Sequence, residues 1–416
     1  MKVFKFGGAS IKNAAAIRNM CDIIKNHQNE QLIVVVSAMG KSTNTLEEIH
    51  KLSLSGKEVN QQVNEFIKYH LEIANELFGD HEIIEQEIGD WRQYLEESLS
   101  DDTLNTNQHY ACIVSVGELL SSSIIGHYLI ECGISTTWTD VRKLILTDDV
   151  SPEANVDWTA TQKRITAYVN EHDTQQVILT QGFVAANNDN QTTTLGREGS
   201  DYTGAIFASC LDAESFTVWK DVPGILNADP RRIDDAVLFD ELSYNETSEM
   251  TYYGAKVIHP KTIKPLANKN IPLYVRCFDN PEKDGTKIHN CETIHTLPVI
   301  VFKDNQCLVS FKSKDLTFVN EKGISVIFEV MHDLSIDMSI MQNSAVSFSI
   351  CIDYNTAKIE QLIEALNEQF DIRYNTDLEL VTIKNYNHES IHKYLPKGEI
   401  LLEQKSRSNY RVLVSK

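Results

Sequence analysis

The chain is poor in positive charge. It sets 38 Lys and Arg against 59 Asp and Glu, a formal net charge of −21. That balance lacks the broad basic face a nucleic-acid partner needs and disfavours an anionic membrane surface, so neither partner is expected. A small anionic ligand stays open, because a local basic pocket fits inside an acidic protein. The eight cysteines contain no C-x-x-C pair. Neither a zinc site nor a disulfide framework is expected, no metal ligands are singled out, and the thiols read as free in a reducing compartment. No apolar run approaches the ~20 residues of a membrane-crossing helix. Met1-Lys2-Val3-Phe4 passes straight into a strand pattern, so no signal peptide is expected and the expected location is cytoplasmic. The G-x-x-x-x-G-K-[ST] spacing is missing as well.

What is present is a globular composition, 42% hydrophobic and 23% charged over 416 residues, enough for two or three domains. Short apolar runs at Lys2 to Phe6 and Leu32 to Val36 end at Gly or Ser, the mark of buried parallel strands. Ala14 to Ile24 carries helical spacing between them. Val59 to Leu77 and Ile83 to Leu99 are amphipathic and long enough for helices. Val177 to Leu179, Phe216 to Trp219 and Ile271 to Val275 are further strands. This alternation predicts an α/β layered domain with a mostly parallel sheet over residues 1–295. Asn280 to Thr286 reads as a turn near its end.

Beyond Val299 the elements shorten. Strands are predicted at Gln306 to Phe311, Ile336 to Met341 and Val346 to Ile352, with helices at Val319 to Met331 and Ala357 to Phe370. Leu378 to Ile383, Ile400 to Glu403 and Tyr410 to Val414 read as later strands. The first six elements follow the β-α-β-β-α-β order of a ferredoxin-like α+β unit.

The chemistry concentrates in a few stretches. Leu195-Gly196-Arg197-Glu198-Gly199-Ser200-Asp201-Tyr202-Thr203 reads as the mouth of a helix, and a helix start beside an arginine suits an anion. Lys5-Phe6-Gly7-Gly8-Ala9-Ser10 joins a strand end to a helix, where glycines let backbone approach phosphate. Ser37-Ala38-Met39-Gly40, then Thr43, follow the second strand, at the sheet end where open α/β folds bind ligands; a helix cap by Ser42 or Thr43 is the competing reading. Glu118 precedes an apolar helix from Leu119 to Ile130. It compensates the helix dipole there, or meets a substrate ammonium. Lys220-Asp221-Val222-Pro223-Gly224 opens a loop that continues through Leu226 to Arg231. Lys256 sits beside Gly254, and His259 reads as a structural histidine.

Together these motifs resemble the aspartate kinases of the amino acid kinase family, in the same order from Lys2 to about Ile288. The resemblance implies a three-layer αβα kinase fold followed, over residues 296–416, by ferredoxin-like ACT regulatory units. One clear unit spans about 305–376, and a second is shortened. It implies transfer of the γ-phosphoryl group of ATP to the side-chain carboxylate of L-aspartate, with Mg2+ accompanying the nucleotide. By position, Lys5, Asp201 and Lys256 match catalytic residues. Ser37, Ala38, Thr43, Glu118, Arg197 and Ser200 match aspartate contacts. Lys5, Gly7, Gly8, Ser10, Lys220, Asp221, Leu226, Arg231 and Lys256 match nucleotide contacts. The resemblance also implies a homodimer or higher homo-oligomer and an amino-acid effector, lysine or threonine. Ser339, Gln342, Asn343 and Ser344 either contact that effector or make a strand-to-strand turn. Glu198 stands where relatives commonly have glycine, Lys220 where threonine is frequent, and Leu226 where tyrosine is frequent. Sister kinases acting on acetylglutamate, glutamate, carbamate or uridylate share the sheet and glycine loops. A catalytically silent amino-acid sensor is the rival of a different class, with no use for phosphate lysines.

Overall fold

The computed structural model describes residues 1–27, 30–149, 152–172, 176–255, 258–292, 296–314 and 320–416. The chain divides into two compact units, one made of 1–225, 238–248 and 257–293, the other of 226–237, 249–256 and 294–416.

The first unit is built on an eight-stranded sheet. Along the chain to residue 293 the elements are β1 (Lys2–Phe6), α1 (Ala14–Lys25), β2 (Leu32–Val36), α2 (Ser42–Leu54), α3 (Asn60–Phe78), α4 (Glu82–Ser100), α5 (Thr106–Glu131), β3 (Thr136–Thr139), α6 (Trp158–Asn170), β4 (Val177–Gln181), β5 (Val184–Ala186), β6 (Thr192–Thr194), α7 (Gly199–Cys210), β7 (Ser215–Lys220), β8 (Glu241–Ser243), α8 (Tyr244–Tyr252), α9 (Pro260–Lys269), β9 (Leu273–Cys277) and β10 (Thr286–His289). The sheet order is β3-β4-β2-β1-β7-β9-β10-β8. All pairs are parallel except β9 with β10, whose hairpin is the Pro/Gly turn read at 280–286. The expected mostly parallel α/β layer is therefore present. Its central strands are buried on both faces, and β2, Leu-Ile-Val-Val-Val, has no exposed residue.

Helix α5 differs from the sequence reading in length and place. It runs through 26 residues, opens with a capping box made by Asn105 and Gln108, and is buried nearly all round. Its most apolar 18-residue window has a mean hydropathy of 1.4 and is 83% buried, so it is a core helix. Glu118 and Ser121 to Ser123 interrupt the apolar run, which hid its length. Glu118 consequently lies mid-helix, far from the first turn, and dipole compensation is not its role. Val63, Phe66, Ile67, Ile84, Ile88 and Leu95 from α3 and α4 join the same hydrophobic core as α5, so these two helices are integral to the unit.

The second unit carries β11 (Val299–Ser313), α10 (Glu321–Asp333), β12 (Met338–Asn343), β13 (Ser347–Asp353), α11 (Thr356–Leu366), β14 (Phe370–Lys384), α12 (His388–Tyr394), β15 (Ile400–Lys405) and β16 (Asn409–Ser415). The predicted helix start at Val319 lies outside the described residues. Phe370 opens a strand and does not close the preceding helix. The antiparallel sheet order is β12-β13-β11-β14-β16-β15. Its first four strands make the expected ferredoxin-like unit, with α10 and α11 packed through Ile327, Met331, Ile359 and Leu362.

The remaining lobe is not simply truncated. β11 and β14 are each 15 residues long and change register between Lys303 and Leu308. Beyond the shift, Val299 to Lys303 pairs with Leu380 to Lys384, and β16 then β15 continue outward. The second lobe thus borrows a strand from the chain that precedes the first. Its core joins Ile300, Val381, Ile383 and Val412 to Ala228 and Ile233 of the 226–237 loop.

Candidate functional site

At the carboxyl ends of β1 and β2 the backbone comes unusually close to itself. A Cβ at Gly8 would sit 2.7 Å from the Ala38 carbonyl oxygen and 2.8 Å from that of Gly40. Only glycine fits there. The Gly40 N–H donates to the Gly8 carbonyl at 3.0 Å, and the Met39 N–H donates to Ser121 Oγ at 2.8 Å. These contacts fix the loop holding Ser37 and Ala38.

Lys5 leaves β1 beside that loop. Its Nζ lies 2.6 Å from Asp201 Oδ1, and Lys220 Nζ lies 3.5 Å from Asp201 Oδ2. The Asp201 side chain is 3% exposed. Burial by itself would raise its carboxyl, but Lys5 and Lys220 outweigh burial and hold it below the ordinary carboxylate value. Asp201 belongs to the first turn of α7, as the sequence implied.

The turn before α7 explains one departure. Glu198 caps that helix with φ 53° and ψ 29°, the left-handed region that favours glycine. Its carboxylate Oε2 accepts the His259 backbone N–H at 2.9 Å. His259 caps α9 in turn, its Nδ1 accepting the Lys261 N–H at 3.3 Å. His259 is a structural residue, and Glu198 ties two helix starts together. Among the described residues no side chain caps the α7 N-terminus.

A cavity of about 580 Å³ opens here. Its lining brings together Lys5, Gly8, Ser37, Ala38, Thr43, Glu118, Arg197, Ser200, Asp201 and Lys220 from segments far apart in sequence. Arg197 is exposed to the cavity and makes no ion pair with a described residue. Glu118 is its opposite, 3% exposed. Thr43 Oγ1 donates to Glu118 Oε1 at a long 3.4 Å, while Oε2 has no hydrogen-bond partner among the described residues. Burial pushes the Glu118 carboxyl up to about 8. A buried carboxylate oxygen without a donor is costly unless a cation reaches it.

Other expected positions stand elsewhere. Ser10 is buried, and its hydroxyl donates to the Trp219 carbonyl at 3.1 Å, stitching the β1 end to β7. Gly7 lies beside Lys5, and a Cβ there would stand 3.4 Å from Nζ, an ordinary contact. Asp221 lines a separate hollow with Lys12, Asn13 and Phe278. Leu226 and Arg231 fall in the second unit, where Arg231 forks onto Asp229 at 2.6 Å. Lys256 lies outside the described residues. Ser339 accepts Lys303 Nζ at 2.9 Å, Gln342 and Asn343 are exposed, and Ser344 Oγ pairs with Ser347 Oγ at 2.8 Å. Ser339, Gln342 and Asn343 belong to β12, and Ser344 lies in the turn to β13. Sequence reasoning passed over Glu47, Tyr110, Glu153 and Phe183, which also line the cavity. Glu47 had a signal: it follows Thr43 by one helical turn, and Tyr110 donates to it at 3.0 Å.

A strand-end loop closed by glycines, a lysine bridged to a buried aspartate and an uncapped helix start define a phosphoryl-transfer fold. The chain belongs to the amino acid kinase family, whose model matches residues 1–277. Within it, this chain groups with the aspartokinases. It is 30% identical to lysine-sensitive aspartokinase 3 of Escherichia coli, over 84% of this chain and 78% of that one. It is 29% identical to the chloroplastic bifunctional aspartokinase/homoserine dehydrogenase 2 of Arabidopsis thaliana, covering 88% of this chain but 42% of that protein. The chain therefore spans under half the length of such bifunctional relatives. Escherichia coli aspartokinase III in complex with aspartate and ADP superposes with a TM-score of 0.85 at 27% identity, over 100% of this chain and 96% of that one.

Proposed function

We propose that this chain is an aspartate kinase, passing the γ-phosphoryl group of ATP to the side-chain carboxylate of L-aspartate. One observation carries the reading: a single cavity is lined by Glu118, whose Oε2 has no hydrogen-bond partner among the described residues, by Arg197, which has no ion pair among them, and by Lys5. An α-amino acid offers an ammonium and a carboxylate that match the first two, and the third suits a transferring phosphoryl group.

The chemistry needs no general base. Aspartate's side chain has an ordinary pKa near ~4, so the nucleophile is ionised at neutral pH. Its carboxylate oxygen forms a bond to the γ-phosphorus, the bridging bond to ADP breaks, and no proton changes hands. The barrier is the meeting of two anions, so catalysis is alignment plus neutralisation. Lys5, steadied by Asp201, faces the charge that develops on the phosphoryl oxygens. Gly8 and the α7 N-terminus offer close backbone N–H groups. Thr43, Ser37, Ala38 and Ser200 complete the aspartate side, and Lys220 serves the nucleotide side.

Magnesium fits this donor set as a partner of the nucleotide. It prefers hard oxygen ligands, and the cavity supplies carboxylates in Glu47 and Glu153 besides Asp201. Asp201 is committed to two lysines, so phosphate oxygens and water are the main ligands expected. The ion's contribution is to neutralise phosphate charge. The ACT-like region of 296–416 is assigned to effector binding and homo-oligomer assembly, with lysine or threonine as effector.

A coupled assay of ADP release, run with aspartate, glutamate, acetylglutamate, carbamate and UMP in turn, tests the reading. Turnover with aspartate alone is expected. Turnover with another acceptor, or none with any, overturns it.

A further inference from the structure

We propose that Glu241, His289 and Cys291 form a site for a thiophilic divalent cation, zinc being the closest chemical match. None of the three lines the substrate cavity.

The strand register creates the juxtaposition. β8 and β10 are parallel at the edge of the sheet, with Glu241 opposite Lys287 and Ser243 opposite His289. Alternate residues share a face, so Glu241 and His289 are diagonal neighbours, and both side chains are long enough to meet. His289 Nε2 lies 3.0 Å from Glu241 Oε2. The chain then bends at Asn290, which returns Cys291 towards the pair. One ligand atom from each residue lies within 4.8 Å of the others, and all three residues are half-buried. Partial burial matters, since it lowers competition from water while leaving an entry path.

The donor set selects the ion. One thiolate, one imidazole and one carboxylate suit a borderline-soft metal, and carboxylate-only cations such as magnesium have no use for sulfur. Tetrahedral zinc with such ligands needs donor separations of about 3.3–3.6 Å. The histidine and glutamate, 3.0 Å apart, are already near that spacing, and the cysteine, within 4.8 Å of both, would need to move closer on binding. Three protein ligands leave the fourth position for water or a further donor. The site would fasten the three-residue strand β8 to β10, an edge otherwise held by few backbone bonds. No C-x-x-C spacing marks it, because Glu241 and His289 come from strands 48 residues apart and Cys291 follows the second strand.

Cobalt(II) is the probe. The full chain, reduced and freed of metal, is titrated with Co2+ while near-ultraviolet absorption is followed. The expected result is a thiolate-to-cobalt charge-transfer band that saturates at one ion per chain and is bleached by added Zn2+. Cys291→Ala removes the band, His289→Ala weakens binding at least tenfold, and Cys112→Ala leaves the band intact. Zinc raises the melting temperature of the parent and not of Cys291→Ala. Absence of a thiolate band, or a band that persists in Cys291→Ala, overturns the proposal. Aspartate-dependent turnover is measured on the same samples, so failure here is distinguishable from failure of the kinase reading.

Discussion

Glu118→Gln interrogates the site through its buried charge. Burial lifts that carboxyl from an ordinary 4.5 to about 8. In the unfolded chain it returns to its ordinary value, so the folded value is the higher one. The folded state therefore holds the proton more tightly, and this contribution to stability is full below about pH 4.5 and lost as pH rises towards 8. Linkage puts the loss on the order of 3 kcal/mol at pH 7 and on the order of 5 kcal/mol above pH 8. Glutamine keeps the shape and removes the ionisation. In differential scanning fluorimetry the ligand-free variant should melt several degrees above the parent at pH 8.5 and within about one degree of it at pH 5. L-Aspartate should stabilise the parent strongly at pH 8.5, because its ammonium supplies the cation Oε2 lacks. The variant should lose most of that protection and show an aspartate KM raised at least tenfold, with the ATP KM little changed. An equal melting difference at both pH values, or equal protection by aspartate, would refute the reasoning.

Three further outcomes follow from the packing. Lys5→Met leaves the buried Asp201 with only Lys220, at 3.5 Å, among the described residues; urea unfolding should register a loss on the order of 3–5 kcal/mol, and turnover should fall roughly a hundredfold or more. Gly8→Ala drives a Cβ into two carbonyl oxygens, so it should cost about 1–3 kcal/mol in the same assay and depress turnover through the displaced loop. In the second unit, Arg232 lies 2.6 Å from Glu379, whose side chain is 4% exposed, and stacks over the Phe302 ring at 3.8 Å. Arg232→Ala should lower the stability of that unit by about 1–3 kcal/mol, since solvent screens the partly exposed guanidinium, and Arg232→Lys should recover only part of it.

The sequence was legible where one residue pattern answers to one physical cause. Strands β1 and β2 declared themselves because buried parallel strands are continuous apolar runs. The mouth of α7 declared itself through glycines and a first-turn carboxylate. Legibility failed where the cause is tertiary. Glu118 looked like a helix start because the apolar run changes there, yet α5 had begun at Thr106, and only the fold makes an interior glutamate useful. The second lobe of the C-terminal unit looked shortened because part of it, Val299 to Lys303, lies before the first lobe in the chain. The partners of Ser10 and Arg231, Trp219 and Asp229, were not legible in the motifs that singled those two residues out. Glu198 was visible as a departure, but its compensation, a bond to the His259 N–H, spans 61 residues.

The central claim is that this cavity joins an amino acid's side-chain carboxylate to a phosphoryl group, and the bond itself can be trapped. Incubation with ATP, Mg2+, L-aspartate and hydroxylamine should yield aspartate β-hydroxamate in step with ADP, and neither product should accumulate with Lys5→Met. ADP formation without hydroxamate, or hydroxamate formation undiminished in Lys5→Met, would contradict the account.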